Sequence, residues 1–241
     1  MVGTMTEDYV KVVWKAHEWS GEGLTTNELA ATLGVAASSV SGNLKKLARD
    51  GFLDYEAYGR ATLTPKGRTL ALQVVRRHRL LETWLVEQHG YSWDEVHDEA
   101  EVLEHSVSER LLASIDEQLG FPERDPHGDP IPRADGTLVS TTGVRLHDVE
   151  IGVDAVAVRV SDHDADLLRY LGSLSIAVGT RLRVEARHDF AGSLSVVVGA
   201  GAGAGVGAGS AGGGSPAAAG RLESAAELAH LAANAIWVSR A

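Results

Sequence analysis

Residues 25–51 read TTNELAATLGVAASSVSGNLKKLARDG, and this stretch decides how the first third of the chain folds. Thr25 followed three residues later by Glu28 has the form of a capping box, in which hydroxyl and carboxylate satisfy the first backbone donors of a helix. The short helix so opened ends at Leu33-Gly34, glycine being the residue that accepts the left-handed closing conformation. After the turn Gly34-Val35, a second helix begins in Ala36-Ala37-Ser38-Ser39, runs through Asp50 and is closed by Gly51. Leu33, Val35, Val40, Leu44 and Leu47 supply the apolar positions that such a pair must bury. Two short helices joined by a tight glycine turn form the helix-turn-helix pattern.

Working outward, Glu7 to Trp19 sets Val10, Val13, Trp14 and His17 along one side of a preceding helix. Beyond Gly51, Phe52-Leu53-Asp54-Tyr55-Glu56 and Arg60-Ala61-Thr62-Leu63 flank Tyr58-Gly59 as a hairpin, or wing. Thr64-Pro65 then caps a long helix with proline at its first position. The second helix of the pair offers Ser38, Ser39, Ser41, Gly42 and Asn43 near its start and Lys45, Lys46 and Arg49 further along. Hydroxyls and an amide reach base edges or phosphates, while lysine and arginine contact the backbone. Arg60, read as the wing tip, is placed to enter a minor groove. Winged helices also serve as protein-interaction modules, but the three-part pattern and the clustered lysines favour double-stranded DNA.

The net charge of the 241-residue chain is -11, which taken whole argues against nucleic acid. Its distribution argues otherwise. Residues 1–70 hold eight basic and eight acidic residues, including all five lysines; 71–133 hold six against fourteen, and 134–241 eight against eleven. This uneven split reads as modules with different partners, over 1–70, 71–143 and 144–241. A neutral DNA-reading module binds weakly alone, so a homodimer on two half-sites is the physical remedy. The chain has no cysteine, which excludes disulfides, thiolate metal sites and a cysteine nucleophile. No apolar run approaches the ~18 residues of a membrane span and no basic-then-apolar leader follows Met1, so a cytoplasmic protein with no membrane partner is expected.

Asp125-Pro126-His127-Gly128-Asp129-Pro130-Ile131-Pro132 cannot be helix interior, because its prolines remove donors and restrict their predecessors. Pro122 to about Gly143 is therefore read as a tether. Residues 199–220 hold ten of the 27 glycines and are nearly all glycine and alanine. They read as a disordered insertion, since such a tract buries little.

The acidic middle carries a second pattern. On the long helix from Pro65, His78 and Glu82 are four apart and share a face. On a helix from about Trp93, His97, Glu101, Glu104 and His105 fall at i, i+4, i+7 and i+8, a stripe that is normally apolar and core-facing. Each residue singly is an ordinary solvated side chain. Together they are costly to bury without a cation.

These elements resemble the diphtheria toxin repressor family of metal-dependent transcriptional repressors, and most of all its manganese-responsive branch. The resemblance rests on Thr6-Glu7-Asp8-Tyr9, Arg49-Asp50-Gly51-Phe52-Leu53, Leu63-Thr64-Pro65-Lys66-Gly67, Arg77-His78-Arg79-Leu80-Leu81-Glu82, Val96-His97-Asp98-Glu99-Ala100-Glu101, Leu103-Glu104-His105 and Gly128-Asp129-Pro130-Ile131-Pro132. It implies a mainly α protein with a winged helix-turn-helix, a helical dimerisation domain and a C-terminal SH3-like β-barrel. It implies two metal ions per subunit: His78, Glu82 and His97 in one half of the site, and Asp8, Glu101, Glu104 and His105 in the other, with Glu101 or Glu104 bridging. Iron-responsive members carry sulfur at the positions of Asp8 and Glu101. Carboxylates there suit Mn²⁺, with Fe²⁺ possible. Where manganese-responsive members have a glutamate three residues after the aspartate, this chain has Lys11, which points to a second ion arranged as in the iron-responsive members.

Strand-like runs Gly152–Val160, Arg181–Val184 and Leu194–Val198, with a helix from Asp164 to Leu171, are similar to the family's SH3-like domain. In the family this domain lends a ligand, and alignment on Val178-Gly179 gives Asp164 that place; the competing reading is a helix cap. The expected function is a repressor of metal homeostasis that binds operator DNA, not an enzyme, with no small organic substrate. A dinuclear hydrolase would use similar ligands but leaves the winged helix idle. A metal-independent adaptor leaves the ligand pattern unexplained.

Overall fold

The computed structural model describes residues 2–20, 23–56, 59–140, 143–199 and 224–241. Tyr58 of the wing and residues 200–220 of the Gly/Ala tract lie outside the described residues. The chain forms two compact units, one of Met1–His78, Leu103–Ser108 and Pro132–Leu138, the other of Arg79–Val102, Glu109–Ile131 and Val139–Ala241.

In the first unit, α1 (Thr4–Ser20) is followed by the helix pair α2 (Thr26–Leu33) and α3 (Ala37–Arg49). The capping box forms in full: Glu28 N–H donates to Thr25 Oγ1, and Thr25 N–H donates to Glu28 Oε2 at 2.7 Å. Gly34 closes α2 in the left-handed region. The wing is β1 (Leu53–Asp54) paired antiparallel with β2 (Thr62–Leu63). Helix α1 is buried on two sides. Tyr9 and Val13 pack with Leu29, Val40, Leu44, Leu47, Leu53 and Ala61. Val10 and Trp14 pack with Ala71, Leu72 and Val75 of α4 (Pro65–His89). One expected core position differs: Val35, in the turn itself, is 44% exposed; His17, on the same side of α1 as Val10, Val13 and Trp14, is exposed too.

The second unit contains the rest of α4, α5 (Val96–Leu103) up to Val102, α6 (Glu109–Gln118) and a six-stranded antiparallel sheet. Its strands are β3 (Val144–Arg145), β4 (Asp154–Val160), β5 (Arg181–His188), β6 (Ser193–Val198), β7 (Ser224–Ala229) and β8 (Ile236–Arg240), ordered β3-β8-β4-β5-β6-β7. Among the described residues β3 and β7 are the edges of the sheet, which does not close into a barrel. Alternate residues Ala155, Ala157, Leu182, Val184, Leu194, Val196 and Val198 point into one core, closed by Leu168 and Leu171 of α7 (Ala165–Ser173) and by Ala232 and Ala233 of α8 (His230–Asn234).

Two expectations are corrected here. The four-ligand stripe does not lie on one helix. α5 ends at Leu103, whose carbonyl accepts from Ser106 and Val107 N–H, so Glu104 and His105 sit in a turn. Nor is 125–132 a loose tether. Asp125, His127, Asp129 and Ile131 are buried, because the Asp125 carboxylate accepts from the N–H groups of His127 and Asp129, both at 2.9 Å. Val160 N–H, donating to the His127 carbonyl at 2.8 Å, fastens the segment to β4.

Candidate metal centres and nucleic-acid interface

In the first unit, α1 presents Glu7, Asp8 and Lys11, α4 presents Arg77 and His78, and the turn after α5 presents Glu104 and His105. Glu104 is wholly buried. Lys11 Nζ donates to its Oε1 at 2.6 Å, and His78 Nδ1 lies 2.7 Å from its Oε2. Burial pushes the Glu104 carboxyl up, but His78 and Lys11 outweigh it and hold the group below the usual carboxylate range. His105 Nδ1 lies 2.7 Å from Glu7 Oε2, and Arg77 donates to Glu7 Oε1 at 2.7 Å. His105 Nε2 lies 3.0 Å from Asp8 Oδ1 and 3.4 Å from Glu104 Oε1, and in a neutral ring donating Nδ1–H to Glu7 it is the nitrogen that could bind a metal. Asp8, Glu104 and His105 thus offer three ligand atoms within 4.8 Å of one another.

The second unit gathers another set. Glu82 of α4 is fully buried; its Oε1 is 3.2 Å from His97 Nδ1, which is also 3.6 Å from Asp162 Oδ2. Glu101, one turn along α5 and partly exposed, is 3.5 Å from His97 Nε2. From the buried segment, His127 Nε2 lies 2.7 Å from the Trp93 carbonyl oxygen, to which it can only donate. When the ring is neutral, His127 Nδ1 therefore carries the lone pair; it lies 3.9 Å from Glu82 Oε2 and has no hydrogen-bond partner among the described residues. Burial opposes charge on this ring, but Glu82, Asp125 and Asp162 overcome it and raise its pKa. Burial, with Asp129 and Glu82 nearby, pushes Asp125 up to about 7. Arg79 and Arg159 meet part of this negative charge: Arg159 Nε is 2.7 Å and Arg79 Nη2 3.7 Å from Asp129. Glu82, Asp125 and His127 lie within ligand reach of one another, as do Glu82, His97 and Asp162. Excess carboxylate facing a buried, partnerless imidazole nitrogen is a donor set that fits a divalent cation.

On α3, Ser38, Ser39, Lys45, Lys46 and Arg49 are exposed, and Ser41 is half-buried. No side chain caps α3, so its serine hydroxyls are not used there. Asn43 is half-buried and donates to Tyr9 Oη at 3.0 Å, tying α3 to α1. Arg60, two residues before β2, donates to the Gly23 carbonyl at 2.6 Å and lies 3.2 Å from Glu28.

Three family descriptions match in order: "Iron dependent repressor, N-terminal DNA binding domain" over 1–61, "Iron dependent repressor, metal binding and dimerisation domain" over 64–133, and "FeoA domain" over 144–212. The iron-dependent repressor IdeR of Mycobacterium leprae is 31% identical over 207 residues, covering 80% of this chain and 88% of that protein. The diphtheria toxin repressor of Corynebacterium diphtheriae is 34% identical over 132 residues, 54% of this chain and 57% of the other. The chain belongs to the diphtheria toxin repressor family. Among solved structures, a manganese-dependent transcriptional repressor in complex with manganese is 47% identical, covers 98% of this chain and 100% of its own, and has a TM-score of 0.85. The manganese regulator SloR is 27% identical over 98% of each chain, with a TM-score of 0.75.

As a member of the diphtheria toxin repressor family, the chain is a metal-dependent transcriptional repressor and not an enzyme. Among its described residues no helix is long and apolar enough to cross a membrane. The SH3-like domain of this repressor brings Asp162, not Asp164, to His97. Asp164 is exposed and caps α7, accepting from Asp166 N–H at 2.9 Å and Leu167 N–H at 3.2 Å. Asp125, His127 and Asp162 escape sequence reasoning. For Asp125 and His127 the available signal was a His and two Asp inside a proline-rich run, read only for its prolines; Asp162 stands two residues before Asp164, in a run read for helix capping.

Proposed function

We propose that this repressor is activated by Mn²⁺, two ions per subunit, and binds operator DNA as a homodimer to control metal-ion homeostasis in the cytoplasm. One ion is held by Asp8, Glu104 and His105. The other is held by Glu82, His97, His127 and Asp162. The observation that carries this reading is that Asp8, within ligand reach of Glu104 and His105, lies on α1, the helix whose Tyr9 and Val13 pack on the DNA-reading pair. A bound ion supplies fixed positive charge. Asp8 and His105 then hold α1 against the Glu104 turn, and α1 orients α3 through the Tyr9–Asn43 bond. Metal and DNA raise each other's affinity by the same factor. Oxygen and imidazole donors without sulfur support Mn²⁺. The 31% identical relative that is named iron-dependent keeps Fe²⁺ as the second reading. Large apolar side chains left exposed in the second unit, Val102, Leu111 and Phe121, support self-association.

Footprinting on the promoter DNA of metal-transport genes, with chelator, Mn²⁺ or Fe²⁺, tests the proposal. Protection at lower Mn²⁺ than Fe²⁺ is expected. Equal protection in chelator would overturn metal activation, and protection by Fe²⁺ at the lower concentration would favour the second reading.

A further inference from the structure

We infer that Lys11 is a built-in cation of the Asp8–Glu104–His105 centre, which holds Glu104 when no metal is bound and limits the centre to one weakly held divalent ion. The inference rests on the reading of that centre as a metal site. Lys11 follows Asp8 by three residues on α1, so both project from one face. Lys11 is only 3% exposed, and its ammonium is 2.6 Å from Glu104 Oε1. That same oxygen is 3.4 Å from His105 Nε2, so ammonium and metal ion must share it. A buried lysine is tolerated only against a counter-charge, and Glu104, also contacted by His78, supplies it.

Charge decides the consequence. Glu7, Asp8 and Glu104 bring three negative charges, and Lys11 and Arg77 return two positive ones. One negative charge is left for an incoming dication. Replacing Lys11 by a neutral side chain doubles that charge and removes a like charge a few ångströms from the ion. A unit charge this close shifts binding of a proton by about 1–3 log units, and a dication responds at least as strongly. Lys11 also closes the link from α1 to the Glu104 turn before metal arrives, so it sets the metal concentration at which the repressor responds.

The test counts bound Mn²⁺ on the full-length dimer from the electron paramagnetic resonance signal of the free ion, with no DNA present. Asp8→Ala identifies the ion held by this centre as the one it loses. In Lys11→Met and Lys11→Gln that ion should bind at least about tenfold tighter, while the melting temperature in chelator falls and Mn²⁺ restores it. Lys11→Glu should take up one ion more than the wild type. Should Lys11→Met fail to fold, Lys11→Gln, which keeps a donor without the charge, carries the comparison. Unchanged or weaker binding of that ion in the folded Lys11 variants would overturn the inference. If Asp8→Ala loses no ion, the metal reading of the centre fails instead.

Discussion

The bond from His127 Nε2–H to the Trp93 carbonyl, 2.7 Å long, fixes which ring nitrogen faces Glu82. A backbone carbonyl cannot donate, so Nε2 holds a proton, and in the neutral ring that a metal ligand requires Nδ1 carries the lone pair. His127→Ala should therefore weaken Mn²⁺ binding at the centre of the second unit. Loss of a partner that only orients a ligand costs about 10–100-fold, and loss of a ligand should exceed that. Calorimetric titration of the purified dimer checks it; an unchanged affinity would show that His127 is not a ligand.

Stability of the metal-free protein should depend on Asp125. Its folded pKa of about 7 lies above the ordinary 3.8 because the carboxyl is buried beside Asp129 and Glu82. Below 3.8 both folded and unfolded forms carry the proton. Between 3.8 and 7 only the folded form does, so stability falls as pH rises through that window, by at most about 1.4 kcal/mol per pH unit for one proton. Asp125→Asn should flatten the difference. Melting temperatures of wild type and variant, from pH 4.5 to 8 in chelator, should converge toward low pH and separate toward pH 8 with the variant more stable; parallel curves would refute the assignment.

Asp162 and Asp164, two residues apart, should separate cleanly. Asp164→Ala removes a helix cap and should cost about 1 kcal/mol of stability with Mn²⁺ binding intact. Asp162→Ala should leave α7 capped and lose affinity at the His97 centre. Urea unfolding and metal titration on both variants give the answer, and a metal defect in Asp164→Ala would return it to the ligand set.

What the chain makes legible follows from the range of each signal. The capping box at Thr25 and Glu28 and the apolar spacing of α3 act within a few residues, so the helix-turn-helix can be read directly. His78, Glu82, His97 and Glu101 are legible for the same reason, since helical spacing puts each pair on one face. Asp125, His127 and Asp162 are not. For Asp125 and His127, prolines exclude helix from the segment without saying whether it is buried, and Glu82, which faces His127, lies 45 positions away; Asp162 depends on a contact with His97, 65 positions away. The end of α5 at Leu103 was also hidden, because periodicity continues through Glu104 and His105 although the backbone turns.

The exposed face of α3 should obey electrostatics. Lys45→Ala or Lys46→Ala should weaken binding to operator and non-operator DNA alike and lower the slope of log affinity against log salt by about one. Asn43→Ala should act differently, costing about 1 kcal/mol of stability through the lost Tyr9 bond. Salt-series anisotropy on two DNA sequences distinguishes them; a sequence-selective loss in Lys45→Ala would show base reading instead.

Gly128 packs its backbone directly against β4. Its φ is +89°, and an added Cβ would lie 2.1 Å from the Val158 carbonyl oxygen and 2.9 Å from Arg159 Cα. Gly152, with φ of +81° and nothing within 4 Å of its would-be Cβ, meets the same backbone cost without the clash. Gly152→Ala should therefore lose about 1–2 kcal/mol, and Gly128→Ala distinctly more, because the main chain itself must move. That movement carries His127 with it, so Gly128→Ala alone should also weaken Mn²⁺ binding in the second unit. Equal stability loss in the two variants, with equal metal affinity, would mean that the segment does not hold His127 in place.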